Sequence, residues 1–417
     1  MISLSAIDSL LAASLVLLVG RLLTTRVDVL ARYSIPDPVV GGLLFAIGVF
    51  AVTEWMGIEV RMDTDIRSVF LLIFFSCVGL TANLRLLMRG GPRLIVFLIS
   101  LLPFLFLQNI VGLGMAWILD MHPLMGLLAG SITLVGGHGT GAAYAATFAD
   151  SNNIQDVMAL AMMSATIGLV MGGVVGGPVA EWLIRRRNLR TPVDADHEPG
   201  RAYSAHEAGT SPSVETRELP VEETPVALES ATFIGSLAAV FVCLAVGKLL
   251  ATYFADLPMN IPDFLWCLMT GVVIRNAGPL INVEPDDQTT DLLGTIALSL
   301  FLALSMMTID LASAMQLAGP LALILAVQTV VCVVYAATAV FRIVRKDYEA
   351  AVISAAFCGF CLGSTATAIA NMQAISRRHG HAPEAFIVVP ITGAFLVDVM
   401  NVMVLTFFIS LPFVGGF

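Results

Sequence analysis

The residues of this chain that could do chemistry sit almost singly in apolar surroundings, and two clusters depart from that rule. Gly136-Gly137-His138-Gly139-Thr140-Gly141 and Gly363-Ser364-Thr365-Ala366-Thr367 mix small residues with hydroxyls. Glycine lets a backbone turn sharply and approach a ligand closely. A helix starting at such a turn aims its free N–H groups, and the positive end of its dipole, at an anion. Glycine-rich stretches also let helices pack closely, and that is the preferred meaning of Gly168, Gly172 and Gly176, spaced by four. His138 is the histidine that lies inside an apolar stretch, suited either to a structural hydrogen bond or to substrate contact. Asp398 and Asn401 are three apart, on one face of a helix. With Asn371 and Thr367 they form an oxygen-only set of the kind that hard cations such as sodium prefer. Gln108 and Asn109 lie in mid-span and are expected to glue helices together, while Asn83, Arg85 and Asp310 are expected at the interface. Cys358 and Cys361 have redox-motif spacing without the strand–helix surroundings of a thioredoxin. The chain's six cysteines all lie in apolar stretches, so no disulfide framework is legible. No His/Cys spacing suits a metal, and no nucleophile–base pair is visible, which disfavours a zinc hydrolase or another membrane enzyme.

The elements that must position these residues are membrane helices. Of 417 residues 58% are apolar and 12% charged, against about 45–50% and about 25% in soluble domains. Soluble enzymes, nucleic-acid binders and disordered regulators are excluded, and an all-α polytopic membrane protein is expected. The net charge of −10 is concentrated in residues 188–230, where nine acids, three arginines and five prolines make a net of −6. Such a composition cannot bury a core and is expected to be a disordered acidic linker.

The chain on either side of that linker repeats. Ser9–Leu23 aligns with Ser236–Leu250 at an offset of 227, Ile35-Pro36-Asp37 with Ile261-Pro262-Asp263 at 226, Gly91-Pro92 with Gly319-Pro320 at 228, and the stretch from Gly136 with that from Cys361 at 225. The expected domains are 1–187, the linker 188–230, and 231–417. About 20 residues cross the hydrocarbon core. The expected spans are Ala6–Leu23, Val39–Trp55, Ser68–Leu87, Leu94–Leu119 and Val157–Ile184, then Ala231–Phe254, Phe264–Val283, Leu292–Met315, Pro320–Phe341 and Ala385–Leu411. Phe264–Val283 is interrupted by Arg275, which is expected to snorkel. No basic residue precedes the first span, which is therefore expected to be retained rather than cleaved as a signal peptide.

Arginines at 21, 26 and 32, at 85, 89 and 93, and at 185–187 follow the first, third and fifth spans. By the positive-inside tendency this puts the termini outside and the linker in the cytoplasm. Residues 123–148 and 348–375 then cannot cross. Each must enter and return, the first from outside and the second from the cytoplasm. Five crossings per unit make the two units inverted repeats, with the glycine clusters at the tips of two opposed re-entrant hairpins. Irregular backbone at membrane depth is tolerated where it is buried in protein or lines a wet cavity. Half-helices meeting at the midplane are a transporter signature. The residues alone thus lead to a secondary transporter of a small anion. Glutamate, aspartate, citrate and other carboxylates stay open, as does proton coupling. A cation/proton antiporter would be expected to carry more intramembrane acids.

Three stretches add a resemblance. Gly126–Tyr144, which contains GGHGTGAA, together with Ile35–Leu44 and Thr367–Ile375, closely resembles the bacterial sodium/glutamate symporter family, over the whole chain except the linker. The chain departs from the family's pattern at Ser364 and Ala366. The resemblance implies an inner-membrane importer that couples sodium to glutamate, an elevator-type movement and a homodimer. It also implies no enzyme activity, no cofactor beyond the coupling ion, and no nucleic-acid partner.

Overall fold

The computed structural model describes residues 2–28, 30, 35–57, 60–63, 65–85, 91–152, 154, 156–191, 230–254, 261–281, 285–309 and 311–415. Residues 192–229, most of the stretch expected to be an acidic linker, and Asp310 lie outside the described residues. The regular structure of the described residues is helical, apart from two three-residue strands, β1 (Ile2–Leu4) and β2 (Val60–Met62), paired in parallel.

Helices α1 (Ala6–Arg26), α2 (Asp37–Met56), α3 (Asp65–Thr81) and α4 (Gly91–Ile118) come first. A broken pair follows: α5 (Pro123–Leu127), running on as a π-turn over Leu128–Ile132, and α6 (Gly137–Asn152). Then comes α7 (Val157–Arg187). From residue 230 the order recurs: α8 (Ser230–Tyr253), α9 (Asp263–Ala277), α10 (Asp287–Met307) and α11 (Leu311–Tyr335, continued to Ile343). The second broken pair is α12 (Tyr348–Leu362) and α13 (Thr365–His379). The last long helix is split by a π-turn at Thr392–Leu396 into α14 (Ala385–Ile391) and α15 (Val397–Ile409), and a single turn, Pro412–Gly415, follows it. Among the described residues, seven helices are long and apolar enough to cross a membrane: α1, α2, α4, α7, α8, α10 and α11. With so little polar surface on any of these helices, the protein is a multi-pass membrane protein.

Local chemistry starts these helices. Both Ile-Pro-Asp motifs are helix beginnings: Pro36 and Pro262 cap α2 and α9, and Asp37 and Asp263 sit in the first turns, where an acid complements the helix dipole. Ser5 and Asp8 form a capping box on α1. Asp286 accepts from the Thr289 N–H at 2.8 Å and from its hydroxyl at 2.7 Å. Those bonds hold its carboxyl below the usual carboxylate range. Arg93 at the start of α4 pairs with Asp347 at 2.9 Å and with Glu384, tying together the bases of α4, α12 and α14.

Apolar length misjudged several ends, among them the start of α11, which lies at Leu311 and not at Pro320. The third span, expected to reach Leu87, stops at Thr81, because Asn276 of α9 accepts from the Leu84 N–H and donates to the Ala82 carbonyl, so these peptides bond across rather than along the helix. The span expected over Leu292–Met315 begins at Asp287, capped by Asp286, and ends at Met307; Met315 belongs to α11. The helix of the weakest span ends at Ala277. Its Arg275, expected to snorkel, is held by Asp287 at 2.8 Å and the Pro285 carbonyl at 3.1 Å.

The helices gather in two bundles. One holds α1, α2 and α3 with α8, α9 and α10; here α2 packs on α10 as α9 packs on α3. The other holds α4 to α7 with α11 to α15, and its densest contact is α7 against α12. There the glycine ladder of α7 does what close packing requires. A Cβ at Gly168 would overlap the Leu362 carbonyl, one at Gly172 would crowd Gly359, and one at Gly176 would overlap Asn371.

Candidate functional site

Both broken helices break where the glycine clusters stand, and the two breaks meet. Gly137 takes φ +68°, the left-handed region that favours glycine. A Cβ added there would lie 4.0 Å from the Gly363 carbonyl oxygen. Helices α6 and α13 therefore begin beside one another, each with the unpaired N–H groups of a first turn. Ser364 caps α13, its hydroxyl accepting from the Thr367 N–H at 3.3 Å and meeting the Thr367 hydroxyl at 3.1 Å.

The tips line a cavity of about 880 Å³ between the two bundles. The helix-rich second bundle contributes Gly136, Gly137, His138, Gly139, Thr140, Gly363, Ser364, Ala366 and Asp398. From the other bundle come Thr24 and Thr25 near the end of α1, Asp37 at the start of α2, Thr81 at the end of α3, and Asp291 and Thr295 near the start of α10. The mouth thus lies at the helix ends next to Arg26 and Arg85. The opposite way is filled by rings: Phe264 stacks on Phe75 with centroids 4.4 Å apart and receives Tyr144 edge-on at 5.3 Å. Among the described residues lining this cavity are three carboxylates, Asp37, Asp291 and Asp398, and no lysine or arginine. Asp37 accepts a hydrogen bond from the Thr24 hydroxyl at 2.5 Å. Asp398 has no hydrogen-bond or ion-pair partner among the described residues.

His138 is buried, with Nε2 3.0 Å from the Thr166 hydroxyl oxygen. That hydroxyl spends its own hydrogen on the Met162 carbonyl at 2.8 Å, so it accepts from His138 Nε2–H. The neutral ring is then the Nε2–H tautomer, leaving Nδ1 as the acceptor.

The other expected site residues are distributed. Gly141 lies behind the first tip, where a Cβ would crowd Thr133. Thr365 turns to the Gly393 carbonyl at 3.5 Å, in the π-turn that precedes Asp398. Thr367 and Asn371 line a second cavity, of about 850 Å³, on the other flank of α13 against α7. Asn371 donates to the Gly172 carbonyl at 2.9 Å and the Ala355 carbonyl at 3.3 Å. Asn401 lines neither cavity; it is fully buried and donates to the Ser131 carbonyl at 3.0 Å. Of the four expected cation ligands, only Asp398 faces the cavity of the tips.

Gln108 and Asn109 are the joints of this arrangement. Gln108 donates to the Cys361 carbonyl at 3.0 Å, and Asn109 accepts from the Ser131 N–H at 3.2 Å, so one turn of α4 holds both broken helices. Sequence reasoning missed Ser131, Thr166, Thr24 and Asp291. Ser131 and Thr166 are small residues inside apolar runs, and nothing in their spacing marks them. Asp37 was legible as half of a repeated motif, without any sign that it lines the site.

A family model for the sodium/glutamate symporters matches residues 2–381. A sodium/glutamate symporter of Escherichia coli (strain K12) is 39% identical over 417 residues, the whole of both chains. One from Haemophilus influenzae is 39% identical over 404 residues, 96% of each chain.

Proposed function

Because the chain belongs to the sodium/glutamate symporter family, we propose that it is a transporter, not an enzyme, which imports glutamate with sodium through the cavity at the two tips. One observation carries the coupling. The cavity holds three carboxylates and no cationic side chain among its described lining residues. An anionic amino acid is repelled from such a space unless cations enter with it. Two helix starts and the hydroxyls of Thr140 and Ser364 suit the substrate's carboxylates. Asp398, unpartnered, suits a sodium ion; Asn401, one turn on, holds the Ser131 carbonyl, while Asn371 and Thr367 brace α13 from its other flank.

The repeat supports alternating access. At the repeat offset, Asp37 of the 880 Å³ cavity corresponds to Asp263 of a third cavity of about 320 Å³, which Tyr144 and Phe264 line. We take these as the open and the closed mouth of one route, on opposite membrane faces, with the units 1–187 and 231–417 inverted and the stretches 123–148 and 348–375 as re-entrant hairpins in ten crossings. The two-bundle packing suits an elevator, the tips' bundle moving against the other. The inner membrane, the outward termini, the cytoplasmic acidic linker as a tether and the homodimer rest on charge bias, composition and family resemblance.

The test is uptake of radiolabelled glutamate into proteoliposomes with an inward sodium, potassium or proton gradient as the sole driving force. Accumulation with sodium alone is expected. Accumulation driven equally by protons, or a preference for another carboxylate, would replace this reading with a proton-coupled or different carboxylate carrier.

A further inference from the structure

The break in the first hairpin arm leaves unspent polar atoms on Ser131 and on the two side chains bonded to its backbone. Gly130 leaves helical geometry (φ −103°, ψ −136°) inside the π-turn Leu128–Ile132. The next residue, Ser131, is gripped at both backbone groups. Its N–H donates to Asn109 Oδ1 at 3.2 Å, and its carbonyl accepts from Asn401 Nδ2 at 3.0 Å, from Gly136 N–H at 3.1 Å and from Val135 N–H at 3.2 Å. These bonds fix both amide orientations, since a donor cannot face a donor. The atoms left over are the Ser131 hydroxyl, Asn401 Oδ1 and Asn109 Nδ2. All three residues are fully buried. Buried polar atoms without partners are rare and call for an occupant.

Two of the three leftovers are oxygens, and Asp398 stands one helical turn before Asn401, at a Cβ spacing of about 5–6 Å. We propose that Ser131 is a sodium ligand: Ser131 Oγ, Asn401 Oδ1 and the Asp398 carboxylate form one cation site between α15 and the arm of the first hairpin. The set is a hydroxyl, an amide oxygen and an ionised carboxylate, which suits a hard cation. Asn109 holds Ser131 from the other side, and its NH₂ group bounds the site, because a donor repels a cation. The Ser131 carbonyl is saturated by three donors and takes no part. The arrangement gives the coupling a physical route. Ser131 bonds directly to Gly136, so an ion that ties it to α15 fixes the tip whose N–H groups face the substrate, and each ligand then favours the other.

The inference rests on sodium coupling as proposed above, and the experiment separates the two. The sodium concentration for half-maximal glutamate uptake, and the sodium-induced rise in thermal midpoint without glutamate, are measured for the parent, Ser131→Ala and Ser131→Cys. Cysteine keeps the volume but offers a soft sulfur, so it decides the matter if the alanine variant folds poorly. Both variants are expected to need about tenfold more sodium and to lose most of the sodium-induced rise, with half-saturation by glutamate at saturating sodium within about threefold of the parent. An unchanged sodium requirement in folded variants of a sodium-dependent parent overturns the Ser131 site alone and leaves the leftovers to a bound water. A parent indifferent to sodium overturns the coupling and this site together.

Discussion

Asp398→Asn is expected to raise the sodium concentration for half-maximal uptake by about 30-fold or more, while glutamate half-saturation at saturating sodium moves far less. The change keeps size and one oxygen and removes the charge. At an effective dielectric constant of about 20, unit charges at about 4 Å attract by about 4 kcal/mol. Loss of half of that, with the amide dipole remaining, is about 2 kcal/mol, or about 30-fold. The other roles open to this side chain give different outcomes. If Asp398 holds the ammonium group of the substrate, glutamate affinity falls even at saturating sodium, and dicarboxylates without an amine are spared. If it serves folding alone, the yield of inserted protein falls and both affinities stay. Sodium titrations of uptake, normalised to inserted protein, separate the three.

The second large effect belongs to the tip. Gly137→Val is expected to reduce uptake per inserted protein to about 1% of the parent or less, with Gly137→Ala in between. Left-handed backbone costs an L-residue about 1–2 kcal/mol, more when the side chain is β-branched. The larger penalty is functional. Gly137 begins α6 directly opposite Gly363, and a branched side chain there pushes the two helix starts apart and fills the space in front of their N–H groups. Transport by the valine variant at the rate of the parent would mean that the meeting of the two tips is incidental to the substrate path.

Much of this was legible in the sequence, and the parts that were not share a cause. Apolar length finds a helix wherever lipid or protein surrounds it, so α1, α2, α4, α7 and α8 appear close to where the sequence puts them, while α11 starts nine residues before the expected Pro320. Glycine clusters mark the two breaks, because a helix cannot break sharply without residues that tolerate the change of backbone geometry. The π-turns at Leu128–Ile132 and Thr392–Leu396 leave no periodic signal. The ends of α3 and α10 are set by hydrogen bonds and caps, which hydropathy does not register. Asp398 and Asn401 were correctly placed on one helix face, but the residue that Asn401 holds, Ser131, is 270 positions away in the chain. Thr367 and Asn371 sit on the wrong flank of α13 to face the cavity of the tips. Which flank a residue takes is decided by packing against α7, not by spacing within α13.

If glutamate and sodium bind together where the two tips meet, Ala366 is placed to report it. It lines the cavity and is exposed to it; the six native cysteines are all buried, and Cys77, which also borders the cavity, is replaced by serine in the protein tested. Ala366→Cys protein, shown to transport, is treated with a small hydrophilic thiol reagent alone, with sodium, with glutamate, and with both. The expected result is a modification rate slowed by about tenfold or more when both are present, and much less by glutamate alone. A transporting variant whose Cys at position 366 reacts at the same rate under all four conditions would contradict joint binding at the tips.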